Sequence, residues 1–175
     1  MPRLDVEIDA LTSSVIVSHT GKSLPTRIVS WRQLASNQRS FTRKWRFNWY
    51  DESRHRGRKI VALLVANSNA IEGLVSFELK SDHVHVHLLE SAPYNVGEQK
   101  RYTGVPGNLM AYVCRESDRL GFDGFVAFDS KTELIDHYQR MLGAVPVAKS
   151  NRMIVGDEAA RRLIEQYFKD GDQWA

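Results

Sequence analysis

The sequence predicts an α/β fold, with a mixed, mostly antiparallel sheet that contains one parallel pair of strands and is flanked by helices. Three apolar runs of strand length in the middle of the chain are separated by turn residues, which is typical of an antiparallel meander (60–65, 71–79 and 84–89). A glycine-bearing loop and an amphipathic helix follow the third run, and a fourth run begins at Phe125. Because a helical crossover separates the third and fourth runs, we expect these two strands to pair in parallel.

The first 58 residues carry weaker secondary-structure signals. Turn-forming residues at 19–22 separate short β-branched runs, so we expect an opening antiparallel meander (strands at 6–8, 15–17 and 26–31). Residues 32–50 are ambiguous and favour a helix followed by a short extended piece. Residues 51–58 are predicted as a charged loop.

Helix signals dominate the second half of the chain. The helix after the glycine-bearing loop places apolar side chains on one face and ends at Gly121. Ser130 and Glu133 have the spacing of a capping box ahead of a second helix that ends at Gly143. The remaining elements are predicted as two closing strands and a final helix capped by an acid (145–148, 153–155 and Asp157).

Length and composition are those of one globular domain, because the 175 residues are 42% hydrophobic and 26% charged. We therefore treat residues 1–175 as a single domain. No apolar run of about 18 residues is present, and the first residues lack the apolar stretch of a signal peptide, which favours a soluble, cytoplasmic protein that does not bind membranes. The single cysteine, Cys114, excludes an internal disulfide and is predicted to be buried in a helix.

Positive charge is concentrated in residues 27–59, where ten Lys or Arg residues stand against two acids, although the net charge of the chain is only +3. The same window holds six aromatic residues: Trp31, Phe41, Trp45, Phe47, Trp49 and Tyr50. Basic residues interleaved with aromatics suit RNA or another anionic partner. The alternative, which we favour, is that the aromatics belong to the core and the charges to a solvated face.

The loop at 99–108 combines features that bind anions. Gly104 and Gly107 let the backbone approach a ligand closely, and the following helix presents unpaired N–H groups and the positive end of its dipole. Lys100 and Arg101 add two full charges. An ordinary strand-to-helix connection would contain similar residues, so the loop sequence alone leaves both interpretations open.

Together, the order of the elements and this loop resemble the GNAT N-acetyltransferase superfamily, whose signature loop is Gln/Arg-x-x-Gly-x-Gly/Ala. The match runs from Arg101 through Gly104, but Pro106 stands where the family has Gly or Ala and removes one N–H donor. The resemblance divides the chain into a divergent N-terminal part, a coenzyme-binding core and a C-terminal helix (1–58, 59–156 and 157–175).

A second segment also resembles the family. The residues from Tyr138 to Gly143 are similar to its Tyr-x-x-x-Gly segment with one residue inserted. Lys131 replaces an Asn that the family often has seven positions before that Tyr. This departure, like the one in the signature loop, leaves open whether the chain keeps the activity of the family.

The resemblance implies that acetyl-CoA is the acetyl donor and that the loop grips its pyrophosphate. It further implies that the strand before the loop splays from its parallel neighbour, so that the pantetheine arm adds to the exposed edge. The residues implied in coenzyme binding lie on that edge, in the loop, at the start of the next helix and at one downstream position: Leu88, Leu89, Ser91, Ala92, Lys100, Arg101, Tyr102, Gly104, Val105, Gly107, Asn108 and Lys131.

Acetyl transfer to a primary amine by direct attack needs a base for the amine proton and an acid for the leaving thiolate. Glu90, at the end of an apolar strand where burial would raise its pKa, is our candidate base. Tyr138 is the candidate acid, because the family places a phenol near the sulfur. A strand-end ion pair for Glu90 and core packing for Tyr138 are equally compatible with the sequence.

Three histidines alternate along the third strand of the central meander, at His83, His85 and His87, and therefore share one face of it. We expect that face to be the less buried one. We expect no metal site, because no acidic or cysteine ligand is evident nearby except Glu78 or Asp82. His87, the nearest to the acetyl site that the resemblance implies, is a candidate substrate contact or proton relay.

Two functions remain open from the sequence. The first is an acetyl-CoA-dependent N-acetyltransferase whose amine acceptor no motif identifies. The second is a noncatalytic or toxin-like GNAT module that binds RNA, tRNA or a protein partner through residues 27–59, and the departures at Pro106 and Lys131 support it. The sequence does not determine whether the chain forms a homodimer.

Overall fold

The computed structural model describes residues 2–34 and 44–168. The strands in these residues are β1 Val15–Val17, β2 Ser23–Leu24, β3 Thr26–Ser30, β4 Arg58–Val65, β5 Ile71–Leu79, β6 Val84–Ser91, β7 Tyr102–Thr103, β8 Val126–Asp129, β9 Val145–Pro146 and β10 Arg152–Val155. The α-helices are α1 Trp49–Glu52, α2 Val105–Arg119, α3 Ile135–Leu142 and α4 Asp157–Tyr167. The main sheet has the order β3-β4-β5-β6-β8-β10-β9, and a smaller sheet has the order β2-β1-β7.

The strands β3 to β6 form an antiparallel meander in the main sheet. Its last three strands are the apolar runs that the sequence predicts, and their antiparallel pairing is confirmed, with Ala62 opposite Leu74 and Leu74 opposite Glu90. Every residue of β6 is buried, because neighbouring strands flank it and apolar layers cover both faces of the sheet. A strand of this kind reads as a continuous apolar run rather than as an alternation.

The pairing of β6 with β8 is parallel, as predicted, and it is short. It joins residues 84–86 of β6 to residues 126–128 of β8. Beyond this point β6 continues to Ser91 beside β5, while β8 ends at Asp129. The two strands therefore separate and leave a gap, which we call the β6/β8 cleft.

Hydrophobic residues pack on both faces of the main sheet. On one face α2 covers β5 and β6 and packs against α4, with Leu109 and Val113 fully buried. On the other face a second cluster includes Trp31 and Trp49. Cys114 is buried in α2, as predicted, and burial raises its pKa to about 12. None of the four α-helices in the described part of the chain has the length and hydrophobicity that a bilayer-spanning helix requires.

The first strands depart from the prediction. β1 pairs with β2 and β7, while β3 joins the main sheet beside β4, so the expected opening meander is wrong. Residues 6–8 are not a strand. Leu4 and Ile8 are buried, but the backbone of this segment bonds to the end of β8 and to side chains of α3. Such long-range contacts leave no local pattern in the sequence.

Two predicted helix caps are also wrong. The Ser130 hydroxyl donates to a neighbouring carbonyl, and a 3₁₀ turn over Thr132–Leu134 precedes α3. The N-cap of α4 lies one residue before Asp157, which is the first helical residue. The left-handed helix stop at Gly143 is confirmed, with φ of 68°. Residues 35–43, part of the ambiguous region in the sequence, lie outside the described residues.

Candidate functional site

The β6/β8 cleft is filled by the first residues of the chain itself, which we call the N-terminal segment (residues 2–12). On the edge of β8 that faces β6, the Phe125 carbonyl accepts a hydrogen bond from the Val84 N–H. Four residues later on the same edge, the Asp129 carbonyl accepts one from the Leu4 N–H at 2.6 Å. The N-terminal segment therefore takes the position beside β8 that β6 leaves.

At one end of the cleft, the loop before α2 holds a carboxylate. Gly104 precedes the helix with φ of 94°, and its N–H donates to both carboxylate oxygens of Asp9, at 3.1 and 3.3 Å. Lys100 Nζ lies 3.1 Å from Asp9 Oδ2, and the Asp9 side chain is 12% exposed. The helix N-terminus and Lys100 thus form an anion site, and Asp9 occupies it.

The two loop glycines lie against the N-terminal segment. A Cβ added at Gly104 would clash with Thr12 Oγ1. A Cβ added at Gly107 would lie 2.5 Å from Tyr167 Oη and 3.3 Å from the Ala10 carbonyl oxygen. In this structure the close approach that glycine permits is therefore made by the chain's own residues.

Tyr138, the predicted acid, lies in the cleft between its two ends. Its hydroxyl donates to the Val6 carbonyl at 2.7 Å, and its fully buried ring packs edge-on against Phe128. Burial raises the pKa of the Tyr138 phenol well above its ordinary value. The neighbouring His137 accepts a hydrogen bond from the Ile8 N–H at 2.8 Å through Nε2. Two side chains of α3 thus bind backbone groups of the N-terminal segment.

At the other end of the cleft, Asp5 forms ion pairs with Arg46 and with Lys131, whose Nζ lies 2.7 Å from Asp5 Oδ2. Burial acts to raise the pKa of Asp5, but the hydrogen bonds and charges of Lys131 and Arg46 hold that pKa below its ordinary value. A cavity of about 470 Å³ opens beside this cluster, lined by Pro2, Arg3, Arg46, Phe47, Lys131, Thr132 and Glu133. Lys131 thus lies at the opposite end of the cleft from the anion-binding loop.

Glu90, the predicted base, fixes the chain just before α1 against β6. Its carboxylate accepts hydrogen bonds from the Arg46 N–H at 2.7 Å, from the Phe47 N–H at 3.0 Å and from Trp49 Nε1 at 3.0 Å. The residue is 9% exposed. Two backbone amides and an indole, rather than the Lys or Arg side chain considered from the sequence, therefore bind this carboxylate.

The histidine face of β6 is more buried than predicted. His85 is 3% exposed and His87 is 4% exposed, so the expectation of a less buried face is wrong for both. Burial lowers the pKa of His85 to about 4 and also lowers that of His87. His87 Nε2 lies 2.8 Å from Glu78 Oε2, while His87 Nδ1 has no hydrogen-bond partner within the described ranges. Its role as a substrate contact stays a prediction.

A second buried acid, Glu72 on β5, was not predicted. It is 2% exposed and accepts a hydrogen bond from the Tyr94 hydroxyl at 2.7 Å. Burial raises the pKa of Glu72, and the hydrogen bond from Tyr94 and the charge of Arg101 only partly oppose this. Glu72 lies at an irregularity in the pairing of β4 with β5, because Leu63 lies opposite Gly73 and Leu64 opposite Ile71. A lone Glu in an apolar strand carries no sequence signal for such a site.

The aromatics of residues 27–59 belong largely to the core. Four of them form or pack against the second hydrophobic cluster: Trp31, Trp45, Phe47 and Trp49. Among the basic residues, Arg58 donates to both oxygens of the buried Glu52 at 2.9 Å. The interpretation that we favoured is confirmed for these four aromatics, while Phe41 lies outside the described residues.

Comparison with solved structures supports the fold. The chain aligns with the crystal structure of a KacTA–DNA complex at a TM-score of 0.53 and 12% identity, over 81% of this chain and 98% of that chain. A Bacillus subtilis acetyltransferase in complex with CoA aligns at 0.49 and 9% identity, over 74% and 95%. The ribosomal-protein-S18-alanine N-acetyltransferase from Escherichia coli aligns at 0.46 and 12% identity, over 74% and 90%. No family model and no curated protein matches the sequence.

The order of the main sheet, its single splayed parallel pair and the helix that connects that pair are those of the GNAT acetyltransferase fold. The fold predicted from the sequence is therefore confirmed. Of the predicted site residues, Lys100, Gly104, Gly107, Tyr138 and Lys131 all contact or closely approach the N-terminal segment. The residues of that segment which meet them were not predicted.

Proposed function

We propose that the chain is an acetyl-CoA-dependent N-acetyltransferase that transfers the acetyl group directly to a primary amine. The observation that carries this proposal is the β6/β8 cleft with an anion site at one end. Separating parallel strands offer backbone groups to an extended, amide-bearing arm. A helix N-terminus beside a lysine suits a diphosphate. Coenzyme A carries both of these groups in one molecule.

The proposed diphosphate site uses the same donors that now hold Asp9. The Gly104 N–H and the Lys100 ammonium would bind the phosphate oxygens, and Arg101, which lies over the rings of Tyr94 and Tyr102 at 5.9 and 5.4 Å, would add charge. Pro106 supplies no N–H to this site. The remaining coenzyme contacts that we propose lie in the first turns of α2, along the edge of β6 and just after its end: Val105, Gly107, Asn108, Leu88, Leu89, Ser91 and Ala92.

The proposed chemistry is attack by a neutral amine on the thioester carbonyl carbon. The C–N bond forms, the C–S bond breaks, the amine loses a proton and the thiolate gains one. Tyr138 is proposed as the acid, because its hydroxyl lies inside the cleft and donates a hydrogen bond there. Glu90 is proposed to accept the amine proton, directly or through water. Its three hydrogen-bond donors fix its orientation and leave about one of its four lone-pair sites free.

The cavity beside Asp5 is the proposed acceptor site. It borders Arg46 and Phe47, the two residues whose N–H groups bind Glu90, and so lies next to the proposed base. Arg3, Arg46 and Lys131 line it together with the acid Glu133, and Asp5 beside it is paired with Arg46 and Lys131. When Asp5 no longer pairs with Arg46 and Lys131, these two cations would favour an acceptor that carries negative charge near its amine.

The test is acetyl transfer itself, followed as release of free CoA from acetyl-CoA with peptides, free amino acids and aminoacyl-tRNA as acceptors. Tyr138→Phe should lower kcat by about 10²-fold or more, the usual contribution of a general acid, with little change in coenzyme affinity. Tyr112→Phe, on α2, is the matched control and should keep full activity. A Tyr138→Phe variant that keeps full activity would remove Tyr138 from the mechanism. In the same assay, the variants Glu90→Gln and Glu72→Gln compare how much each of the two buried acids contributes to the rate.

One observation favours a second candidate function, because the cleft proposed for the coenzyme is filled by the N-terminal segment. A chain that keeps its cleft filled would be a noncatalytic module that binds RNA or a protein partner through residues 27–59. The KacTA structure, which shares the fold, is a complex with DNA. On this candidate, RNA affinity should fall steeply with salt concentration. RNA binding that is absent or independent of salt would exclude it.

A further inference from the structure

We infer that the N-terminal segment is a built-in competitor of the coenzyme, which must leave the β6/β8 cleft before acetyl-CoA enters. This inference rests on the proposed function and concerns the regulation of the same site. The contacts that the segment makes at both ends of the cleft and between them support this inference.

At the phosphate end, the competition is for the same donors. The Gly104 N–H and Lys100 Nζ both bind the Asp9 carboxylate at 3.1 Å. A diphosphate that used these donors would place its negative charge where the carboxylate now lies, and two like charges at one site repel each other. The Asp9 carboxylate must therefore move out before a diphosphate moves in.

Between the two ends, the competition is for the strand edge and the phenol. Leu4 bonds to the end of β8 and the residues just after it, since its N–H donates to the Asp129 carbonyl at 2.6 Å and its carbonyl accepts from the Lys131 N–H at 3.0 Å. The Val6 carbonyl accepts the Tyr138 hydroxyl at 2.7 Å. That hydroxyl cannot reach a thiolate while it donates to Val6.

At the acceptor end, Asp5 neutralises two cations that line the proposed acceptor cavity. Its carboxylate is paired with Arg46 and with Lys131. The segment thus places one carboxylate at each end of the cleft and a run of backbone between them. This order of charge and backbone fills the parts of the cleft assigned to the diphosphate, the arm and the acceptor.

The N-terminal segment is attached in a way that permits release. Of residues 2–12, only Leu4 and Ile8 are buried, and none belongs to a strand of either sheet. Val6 and Leu11 pack against the main hydrophobic cluster but stay partly exposed, and the remaining contacts are hydrogen bonds and ion pairs that water or a ligand can satisfy. Opening the segment exposes these apolar side chains but breaks no strand pairing within either sheet, so it can occur locally without unfolding the rest of the molecule.

Competition of this kind has a measurable size. The apparent affinity for the coenzyme equals the intrinsic affinity reduced by the fraction of molecules in which the segment is open. If the closed form outnumbers the open form about ten to one, a variant that opens the segment fully binds about tenfold more tightly.

Two substitutions weaken the segment at separate points. Leu4→Ala removes a buried side chain from the cleft without changing any charge, and Asp9→Asn removes the carboxylate from the anion site. Their matched controls are Leu120→Ala and Asp118→Asn, which make the same chemical changes at exposed positions at the end of α2. CoA affinity is measured by isothermal titration calorimetry, and hydrogen exchange of the backbone amides of residues 2–12 is measured with and without CoA.

We expect both test variants to bind CoA several-fold to tenfold more tightly than the unmodified chain, and both controls to bind it equally. We also expect CoA to speed exchange of residues 2–12 in the unmodified chain. If Leu4→Ala does not fold, Asp9→Asn and the exchange measurement still decide the question. CoA binding with unchanged or slower exchange of residues 2–12 would overturn the competition and leave the proposed function standing. No CoA binding by a variant whose segment exchanges freely would overturn both.

Discussion

Gly104 and Gly97 share a left-handed backbone, with φ of 94° and 90°, but differ in what surrounds them. A Cβ at Gly97 would meet nothing within 4 Å, whereas one at Gly104 would clash with Thr12. We expect Gly97→Ala to lower the free energy of unfolding by about 1–2 kcal/mol through backbone strain alone. Gly104→Ala should lower the free energy of unfolding by about 1–3 kcal/mol more than Gly97→Ala does, because the N-terminal segment must shift. Urea denaturation of both variants checks this, and equal losses would contradict the close packing.

His85 makes stability depend on pH. Burial first, and then the positive charges of His87 and Arg152, lower its pKa in the folded chain from 6.5 to about 4. Between these pH values His85 is protonated in the unfolded chain but not in the folded chain. The free energy of unfolding therefore has its full value above pH 6.5 and falls as the pH drops towards 4. The loss from this group amounts to up to about 3 kcal/mol. His85→Gln should make the unfolding free energy less dependent on pH between 7 and 4.5, whereas the exposed control His55→Gln should not.

The anion site shows how far single residues can be predicted. Gly104 and Lys100 are recognisable in the sequence, because a glycine, a cation and a helix start lie close together in the chain. Asp9, which fills the site, lies 95 positions from Gly104, and a lone acid in a weakly patterned segment has no local signal. The same holds for Glu72, whose partner Tyr94 lies 22 positions away.

At the scale of elements, the central strands were predictable because each one buries an uninterrupted apolar run. The connection between β6 and β8 is long enough to contain a helix, and such a connection predicts that the two strands pair in parallel. The N-terminal segment was predicted as a strand over residues 6–8 and is not one. Its conformation depends on the cleft that it enters, and the cleft is formed by strands more than 70 positions away.

The packing of α2 on β5 gives a prediction at this scale. A Cβ at Gly73 would lie 2.6 Å from Val105 Cγ1 and 2.9 Å from Leu109 Cδ1, so Gly73→Ala requires these side chains or the helix that carries them to shift. We expect it to lower the free energy of unfolding by about 1–3 kcal/mol, in the range of other overpacked cores. Gly156→Ala is the control, because its nearest neighbour is Phe125 Cε1 at 3.9 Å. Thermal or urea denaturation measures both, and a neutral Gly73→Ala would contradict this packing.

At the scale of the whole molecule, the occupant of the β6/β8 cleft decides between the two proposed functions. The GNAT fold supplies a splayed strand pair and an anion site, and the chain's first residues occupy both. The two functions that we propose differ in the fate of this segment: the coenzyme displaces it in an acetyltransferase, and it stays in place in a noncatalytic module. The resemblance of the sequence to the GNAT superfamily implied the cleft but not its occupant, so the sequence left these two functions undecided.

Calorimetric titration of the full chain and of Leu4→Ala with acetyl-CoA tests the central claim most directly. We expect one binding site per chain, micromolar affinity for the unmodified chain and tighter binding by the variant. Absence of binding by both, with the variant shown to be folded, would contradict the claim that the β6/β8 cleft is a coenzyme site.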